Sequence, residues 1–467
     1  MNADQGPVTA PGGAAGDRGG AHPLTIAQFT DNYGPAHSGI LYAVQFLEEQ
    51  ALAAGHKVLL VAPDAKGPNP NVGHPHRREI RLPSVAVPKM NLRLAMGQDF
   101  DYRLAQLVAN PPDLIHVHGL GPIGLLGLWV AERTGKPLLV TWHTDFEAYA
   151  DHYWHIAPFL NAAYKLHELH QAESTWKQVK KLRPSRPRRG GAQVELLEVA
   201  SRMLTRADLV TTPSSKTANR VLEIAPEARV RVVPNGVDAL PELPPIGRGR
   251  GPRLIYVGRI SLEKGVELML DAFELVHDRA PEVELMIVGD WRSTPSRLRR
   301  RLQRAGGSGL VKLTGAVPRD QLGAYYASAD AFVFTSVTDT QALVLHEAAH
   351  AGLPFVIVDH ELDLVIDPGV NAVLARPNPV SLAGAMVGML GLLEDEQFAE
   401  VARARSRELA ARWTIASQSA EFLELYRALV AGEPIAVTAG LRPDFGRRVF
   451  PSRKVTATFT PDRIEAR

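Results

Sequence analysis

The stretch that decides the fold runs from Thr335 to Pro354 and reads TSVTDTQALVLHEAAHAGLP. Its second half, from Ala342 to Ala351, is rich in Leu, Ala and Glu, which are strong helix formers. Just upstream, residues 330–336 read DAFVFTS, an aromatic and β-branched run that predicts a strand ended by small polar residues. We therefore expect Asp339 in a strand-to-helix loop and Glu347 about two turns into the helix. In a parallel α/β sheet that loop lies at the carboxyl end of the strand, where ligands bind.

Short apolar strands alternate with amphipathic helical stretches along most of the chain. The first series includes LTIAQF, KVLLVA, DLIHVHG and PLLVTWH, and a second begins with RLIYVGRIS after a Pro- and Gly-rich linker at 239–253. This alternation predicts βαβ units and parallel sheets with helices on both faces. We expect two doubly wound, Rossmann-like α/β domains that face a central cleft. The predicted ranges are a disordered tail at 1–22, domains at 23–240 and 241–431, and a Pro- and Arg-rich tail at 432–467.

The composition is that of an ordinary soluble globular protein, with 45% hydrophobic and 22% charged residues in 467. A net charge of +2 argues against a protein devoted to nucleic acid. The absence of cysteine excludes a disulfide framework, a thiolate zinc site and a cysteine nucleophile. No apolar run approaches the roughly 18–20 residues that span a bilayer, and the N-terminus lacks the pattern of a signal peptide. These features predict a cytoplasmic protein.

A second informative stretch, YVGRISLEKG, runs from Tyr256 to Gly265. It predicts a strand that ends at Gly258, a loop that carries Arg259 and Lys264, and a helix that starts near its last residue. Two cations beside a helix N-terminus make a site for a diphosphate, because the helix dipole adds to their charge. A solvated loop is the alternative, but it loses weight because the two acids of the first stretch fall at the same end of the same sheet. The chain has no GxxxxGK[ST] motif, which argues against a P-loop nucleotidase.

Histidines and a glycine stand at other strand and helix ends. His143 ends the apolar strand LLVTWH, where it is either a ligand-binding residue or a satisfied structural histidine. His116 and His118 alternate on one strand and share a face, so they could form a metal pair, although no third ligand has suitable spacing. Gly39 opens the first long helix, where it is either a turn residue or a site of close backbone approach to a ligand.

These motifs resemble, in the same order, those of the retaining GT-B glycosyltransferases of the family-4 type. The C-terminal half contributes GRISLEKG, LTGAVPRDQLGAYYASADAFVFTS, the acid-x7-acid segment and AGLPFV; the N-terminal half contributes FTDNYGPAHSGI, DLIHVHG, TWHTDFE, ADLVTTPS and VVPNGVD. The likeness covers about Leu24 to Ala431. It implies the GT-B fold and the transfer of a hexose-type sugar from a UDP- or GDP-linked donor to an acceptor hydroxyl, with no metal and no other cofactor.

The resemblance also implies roles for individual residues. Asp339 would lie by the transferred sugar, and Glu347 would hydrogen-bond the ribose. Arg259 and Lys264 would hold the diphosphate and stabilise charge on the departing nucleotide. His143 would contact the donor sugar near the reacting carbon. The other donor-binding positions are Gly39, Gly258 and the loop residues Thr340, Gln341, Ala342 and Leu343. Asp339 stands where Glu is usual in the family, and Ala342 stands where Gly is common.

The region 148–197 diverges from the family pattern and combines aromatic residues with a basic run at 177–189 that contains no acid. Such a segment could dock on an anionic membrane surface, stack on nucleic acid or form a solvated loop; the net charge leads us to expect no nucleic-acid partner. Because the aromatic part follows the LLVTWH strand, we expect Asp145, Tyr149 and Trp154 to line an acceptor pocket.

The motifs TDTQALVLHEA and FTDNYGPAHSG look closest to enzymes that glycosylate diacylglycerol or related lipids. We therefore expect a lipid or glycolipid acceptor and a cytoplasmic enzyme able to associate peripherally with the inner face of the membrane. A soluble acceptor, such as a secondary metabolite or a sugar phosphate, remains an alternative. A non-catalytic nucleotide-sugar-binding protein remains another.

Overall fold

The computed structural model describes residues 22–33, 39–64, 71–86, 93–95, 99–119, 121–143, 189–247, 249 and 251–438. The acceptor candidates Asp145, Tyr149 and Trp154 lie outside these ranges. The basic run 177–189 also lies outside them, except that a helix begins at Arg189. The predictions for these residues therefore stay predictions.

The first domain is built on a sheet of seven parallel strands. In chain order they are β1 (Thr25–Phe29), β2 (Lys57–Pro63), β3 (Arg77–Leu82), β6 (Leu114–Val117), β7 (Leu138–Thr141), β8 (Leu209–Thr212) and β9 (Val230–Val232), and their order in the sheet is β3-β2-β1-β6-β7-β8-β9. A short antiparallel pair, β4 (Ser84–Ala86) and β5 (Arg93–Ala95), lies apart from this sheet. Among the described residues of this domain the helices are α1 (Gly39–Ala53), α2 (Asp99–Ala109), α3 (Pro122–Thr134), α4 (Arg189–Arg206) and α5 (Ser215–Ile224). Gly39 opens the first long helix, as predicted.

The second domain is built on a sheet of six parallel strands. They are β10 (Arg253–Val257), β11 (Glu284–Val288), β12 (Val311–Gly315), β13 (Ala331–Phe334), β14 (Phe355–Ile357) and β15 (Ala372–Leu374), in the order β12-β11-β10-β13-β14-β15. The helices are α6 (Val266–His277), α7 (Ser296–Gly307), α8 (Leu322–Tyr326), α9 (Leu343–His350), α10 (Pro379–Leu392), α11 (Glu396–Ala410) and α12 (Ile415–Ala431). Central strands such as β13 are buried at every position, as expected for parallel strands covered on both faces.

The last helix, α12, crosses back to the first domain. Its residues Phe422, Leu425 and Tyr426 are buried in one apolar cluster with Ile26 and Leu47 of the first domain. The range 241–431 that the sequence assigns to the second domain therefore includes a helix that packs on the first. No helix among the described residues is long and apolar enough to cross a bilayer.

The carboxylate of Asp31, after β1, occupies the N-terminus of α3. Asp31 Oδ1 accepts from the Ile123 amide over 3.0 Å, and Oδ2 accepts from the Gly124 amide over 3.3 Å. Gly121 precedes the helix, and a Cβ there would lie 2.3 Å from Asp31 Cγ. The first turn of α3 is therefore satisfied by the protein's own carboxylate, which complements the helix dipole.

The burial of Asp31 makes stability depend on pH. Burial raises its pKa from 3.8 to about 6, although the amide hydrogen bonds oppose the shift. Because the folded-state pKa is raised, this group's stabilising contribution is complete below pH 3.8 and is lost as the pH rises through 6. We expect Asp31→Asn to gain stability relative to the wild type by about 3 kcal/mol between pH 4 and pH 7. Urea unfolding at several pH values measures this; Asp278→Asn, at an exposed aspartate, is the control. A pH-independent difference for Asp31→Asn would contradict the prediction.

Candidate functional site

The carboxyl ends of the two sheets face each other and are joined by hydrogen bonds. Thr340, in the loop after β13, donates from Oγ1 to the carbonyl oxygen of His143, just after β7, over 3.4 Å. Ser214, after β8, donates from Oγ to the carbonyl oxygen of Thr340. The side-chain oxygen of Gln341 accepts from the backbone and side-chain nitrogens of Asn235, both at 2.8 Å. Predicted site residues of both domains therefore meet in one cleft.

Lys264 and Asp339 form an ion pair in this cleft. Lys264 Nζ lies 2.5 Å from Asp339 Oδ1, and each side chain is 18% exposed. Gly265, at φ 68°, brings the loop against β13, because a Cβ there would lie 2.5 Å from the Thr335 carbonyl oxygen. Asp339 Oδ2 is buried and has no hydrogen-bond partner among the described residues. A ligand hydroxyl that donated to Oδ2 would remove a desolvation penalty of about 1–3 kcal/mol.

Arg259 is held by its backbone and has an exposed side chain. Tyr256 donates from its hydroxyl to the Arg259 carbonyl oxygen over 2.9 Å, and Gly258 adopts φ 152°. The guanidinium is 71% exposed and lies 2.9 Å from Glu263. Such an exposed pair contributes little to stability, so the guanidinium can leave it for a stronger anion.

Glu347, on α9, is buried and bound by two residues that the sequence did not single out. Its Oε1 accepts from Arg319 Nε over 2.9 Å, and its Oε2 accepts from the Tyr326 hydroxyl over 3.1 Å. Burial and then the charge of Glu347 raise the pKa of Tyr326 well above its ordinary value, so the phenol remains a donor. Each carboxylate oxygen keeps acceptor capacity for a ligand hydroxyl.

The turn between Asp339 and α9 is strained at Ala342. Ala342 precedes the helix with φ 60° and is the one residue other than glycine, in the part of the chain that the structure describes, with positive φ. A left-handed conformation costs an L-residue about 1–2 kcal/mol. The Gln341 side chain is occupied by hydrogen bonds to Asn235 and His346, so its backbone is the part left for a ligand.

We expect Ala342→Gly to raise the free energy of unfolding by about 0.5–1 kcal/mol, because glycine tolerates positive φ but gives back part of the gain in unfolded-chain entropy. Urea denaturation measures the change. The matched control is Ala349→Gly inside the same helix, where the same substitution should destabilise the protein. Destabilisation by both substitutions would contradict the strain at Ala342.

His143 ends a row of three histidines in the first domain. Its Nε2 lies 3.1 Å from His118 Nδ1, and His118 Nε2 lies 3.0 Å from Gln28 Oε1. His116 contacts the Tyr426 hydroxyl through Nδ1 and Thr141 Oγ1 through Nε2. His116 and His118 share a face, as predicted, but all four of their ring nitrogens have protein partners. The described residues contain no group of three or more potential metal ligands.

A buried ion pair between the domains was not predicted. Lys216, on α5, places Nζ 2.6 Å from Asp359 Oδ2, after β14, and 2.7 Å from the Val337 carbonyl oxygen. Both charged side chains are 4% exposed. Lys216 follows β8 in the segment SSKTAN, but that segment does not indicate that its partner lies 143 residues away. The pair fixes the loop that carries Asp339 against the first domain.

Two family models match the chain in succession. The model described as Glycosyltransferase Family 4 matches residues 39–239, and the model described as Glycosyl transferases group 1 matches residues 251–391. Three relatives cover most of the chain. An alpha-monoglucosyldiacylglycerol synthase of Acholeplasma laidlawii is 24% identical over 380 residues, which is 76% of this chain and 85% of the relative. The Streptococcus pneumoniae enzyme of the same name is 26% identical over 71% of this chain and 70% of its own. A GDP-mannose-dependent alpha-mannosyltransferase of Mycobacterium tuberculosis is 27% identical over 72% and 79%.

Solved structures share the arrangement of the two domains. Sucrose-phosphate synthase from Thermosynechococcus elongatus superposes with a TM-score of 0.61 at 21% identity and covers 88% of this chain and 100% of its own. The Anabaena protein HepE, solved with UDP and glucose, superposes with a TM-score of 0.60 at 16% identity and covers 87% and 100%. At these identities the likeness establishes the fold.

Proposed function

The chain belongs to the family-4 and group 1 glycosyltransferases and has the GT-B fold, and from this premise we propose that it is a retaining hexosyltransferase that glycosylates a lipid. As a member, it is a nucleotide-sugar-dependent glycosyltransferase. The finer proposal is that a hexose passes from a UDP- or GDP-linked donor to a hydroxyl of diacylglycerol or a glycolipid. The observation that supports sugar transfer in this cleft is the hydrogen bond from Thr340 to His143, which joins the Asp339 loop to the first domain.

The donor would bind along the loops of the second domain. Lys264 and Arg259 would hold the diphosphate and stabilise the charge of the departing nucleotide, with no resident metal. Glu347, fixed by Arg319 and Tyr326, would accept from the ribose hydroxyls. Asp339 would use its unpaired Oδ2 to accept from a sugar hydroxyl. These roles are supported by the unpaired Asp339 Oδ2, by the remaining acceptor capacity of Glu347 and by two cations that each pair with one carboxylate.

Retention of configuration is supported by the state of the cleft acids. An inverting transfer needs a carboxylate or imidazole free to take the acceptor proton. Asp339 is neutralised by Lys264, and Glu347 is bound by Arg319 and Tyr326. Burial lowers the pKa of His143 to about 4, which makes it a weak base. These groups suit a retaining mechanism, in which the leaving diphosphate takes the acceptor proton on the face of the sugar from which it departs.

A lipid acceptor is supported by the two relatives named as monoglucosyldiacylglycerol synthases. The assay incubates the enzyme with labelled UDP-glucose, UDP-galactose or GDP-mannose, diacylglycerol micelles and, separately, hexose phosphates. We expect an α-linked glycolipid whose yield is unchanged after dialysis against a chelator. A β-linked product would overturn retention, and loss restored by a divalent ion would overturn the metal-free mechanism. Transfer only to hexose phosphates would overturn the lipid acceptor, and donor binding without nucleotide release would indicate a non-catalytic protein.

We further propose that the basic run brings the enzyme to an anionic membrane surface. Its cations are Lys177, Lys180, Lys181, Arg183, Arg186, Arg188 and Arg189. Each could add about 1 kcal/mol near anionic headgroups at low salt. We expect co-sedimentation with phosphatidylglycerol vesicles, but not with neutral ones, and loss of binding when the run is neutralised. The control neutralises four exposed arginines of α7: Arg297, Arg299, Arg300 and Arg304. If both variants bind the vesicles as well as the wild type does, the basic run does not contribute to membrane binding and is a solvated loop.

A further inference from the structure

Gln28 and His118 form a buried hydrogen-bonded chain that ends at His143. Gln28, on β1, and His118, after β6, are 0% and 2% exposed. The ring centroids of His118 and His143 lie 5.4 Å apart, and the ring planes are inclined by 22°, which allows a nitrogen-to-nitrogen hydrogen bond between the ring edges. We propose that Gln28, acting through His118, sets which ring nitrogen of His143 carries the proton, so that His143 presents an N–H donor at Nδ1.

One proton lies in the hydrogen bond between His118 and His143, where the two ring edges meet. Burial lowers the pKa of His143 to about 4, and burial, then the charges of His116 and His143, lowers the pKa of His118 well below 6.5. Both rings are therefore neutral near pH 7 and carry one proton each. His118 Nδ1 and His143 Nε2 face each other at 3.1 Å, so one must donate and the other accept. The tautomer of His118 thus dictates the tautomer of His143.

Gln28 selects between two arrangements, because its amide can present either end to His118. If the amide oxygen accepts from His118 Nε2–H, the Gln28 NH2 group stays buried with no partner among the described residues. If the NH2 group donates instead, one N–H is paired, and the second N–H and the amide oxygen remain; protein interiors tolerate an under-satisfied carbonyl oxygen better than an orphaned N–H. The second arrangement is therefore favoured. It places the proton of His118 on Nδ1, and consequently that of His143 also on Nδ1.

This tautomer makes His143 a hydrogen-bond donor at Nδ1, in a residue whose backbone carbonyl meets Thr340 of the second domain. Because its Nε2 faces His118, Nδ1 is the ring nitrogen of His143 with which it could meet a ligand oxygen. The consequence for sugar transfer depends on the proposed function, whereas the tautomer does not. Gln28 is a positioning residue, since it is fully buried and acts through His118.

The tautomer is measured without substrate, from two-bond ¹H–¹⁵N correlations of protein labelled at histidine nitrogen. His143→Ala and His118→Phe assign the signals. We expect the Nδ1–H pattern for His118 and His143 in the wild type. Gln28→Met keeps the chain length and replaces the amide donor with a thioether sulfur, which can accept weakly but cannot donate, so both patterns should move together toward Nε2–H. His116 is an internal control, because its ring lies 4.0 Å from that of His118 but bonds to Tyr426 and Thr141.

The Nε2–H pattern for His143 in the wild type would overturn the proposal, and this measurement needs no variant to fold. Unchanged tautomers in folded Gln28→Met would also overturn it. In the transfer assay, Gln28→Met should lower kcat about tenfold, the cost of one misplaced donor, and leave nucleotide affinity intact. Thr141→Val, which removes bonds to His116 and Thr211 but none to His118 or His143, should keep both the His143 tautomer and kcat. An enzyme without transfer activity would refute the proposed function and leave the tautomer result standing.

Discussion

Lys264→Ala is expected to lower kcat/KM about 10²–10³-fold, the range for losing a fixed positive group at a developing anion. The Lys264 ammonium is aimed by its pair with Asp339, so it needs little reorganisation to meet a diphosphate. Arg259→Ala should cost less, because the guanidinium starts 71% exposed and must first leave Glu263. Steady-state kinetics with a labelled donor measure both effects.

Lys264→Arg is the informative partner of that variant, because it keeps the charge and should recover part of the activity. Lys312→Ala, at an exposed lysine on β12, controls for the loss of a cation elsewhere in the domain. Thermal unfolding shows whether the unpaired Asp339 has damaged the fold. If folded Lys264→Ala has unaltered kinetics, Lys264 does not hold the diphosphate.

Asp339→Asn and Glu347→Gln are expected to separate turnover from nucleotide binding. Asp339→Asn should lower kcat about 10²-fold if the carboxylate stabilises the reacting sugar. Its affinity for the bare nucleotide should be nearly normal, because the amide oxygen that replaces the carboxylate can still accept from Lys264 and position the ammonium. Glu347→Gln should weaken nucleotide binding about 10–100-fold, the cost of a hydrogen bond to a charged group.

Glutamine is chosen at 347 because alanine would leave the Tyr326 hydroxyl unpaired in a buried site. Calorimetry with UDP and GDP, set beside turnover, decides the division of roles. If Asp339→Asn loses nucleotide affinity as severely as Glu347→Gln, the two acids do not act separately. If neither substitution changes binding or turnover, the site assignment fails.

Residues that follow a strand or open a helix were predictable from local patterns. Asp339 lies in the loop after β13 and Glu347 lies on α9, as predicted, because strong helix formers follow a β-branched run. The helix after YVGRISLEKG begins at Val266, directly after the predicted glycine. Such features depend on a few neighbouring residues, so the sequence carries them directly.

Partners that are distant in sequence were not predictable. Lys216 and Asp359 are 143 residues apart, and His116 contacts Tyr426 across 310 residues. The alternation of His116 and His118 indicated a shared face, but only the fold showed that Gln28, Thr141, His143 and Tyr426 fill their hydrogen bonds. A metal-binding pair of histidines and a pair that belongs to a hydrogen-bonded chain have the same local sequence pattern.

The sequence by itself determined two parallel α/β domains and the order of their strands along the chain, because periodicity and turn residues act locally. The strand ends it predicted at His143 and Gly258 lie one or two residues beyond the observed ends at Thr141 and Val257. The tertiary structure decided which strand ends face each other. It joined Thr340 to His143, paired Lys264 with Asp339 and returned α12 to the first domain. Those choices depend on burial of charge and apolar surface between segments far apart in the chain, where the pairing energy exists only once both sheets have formed.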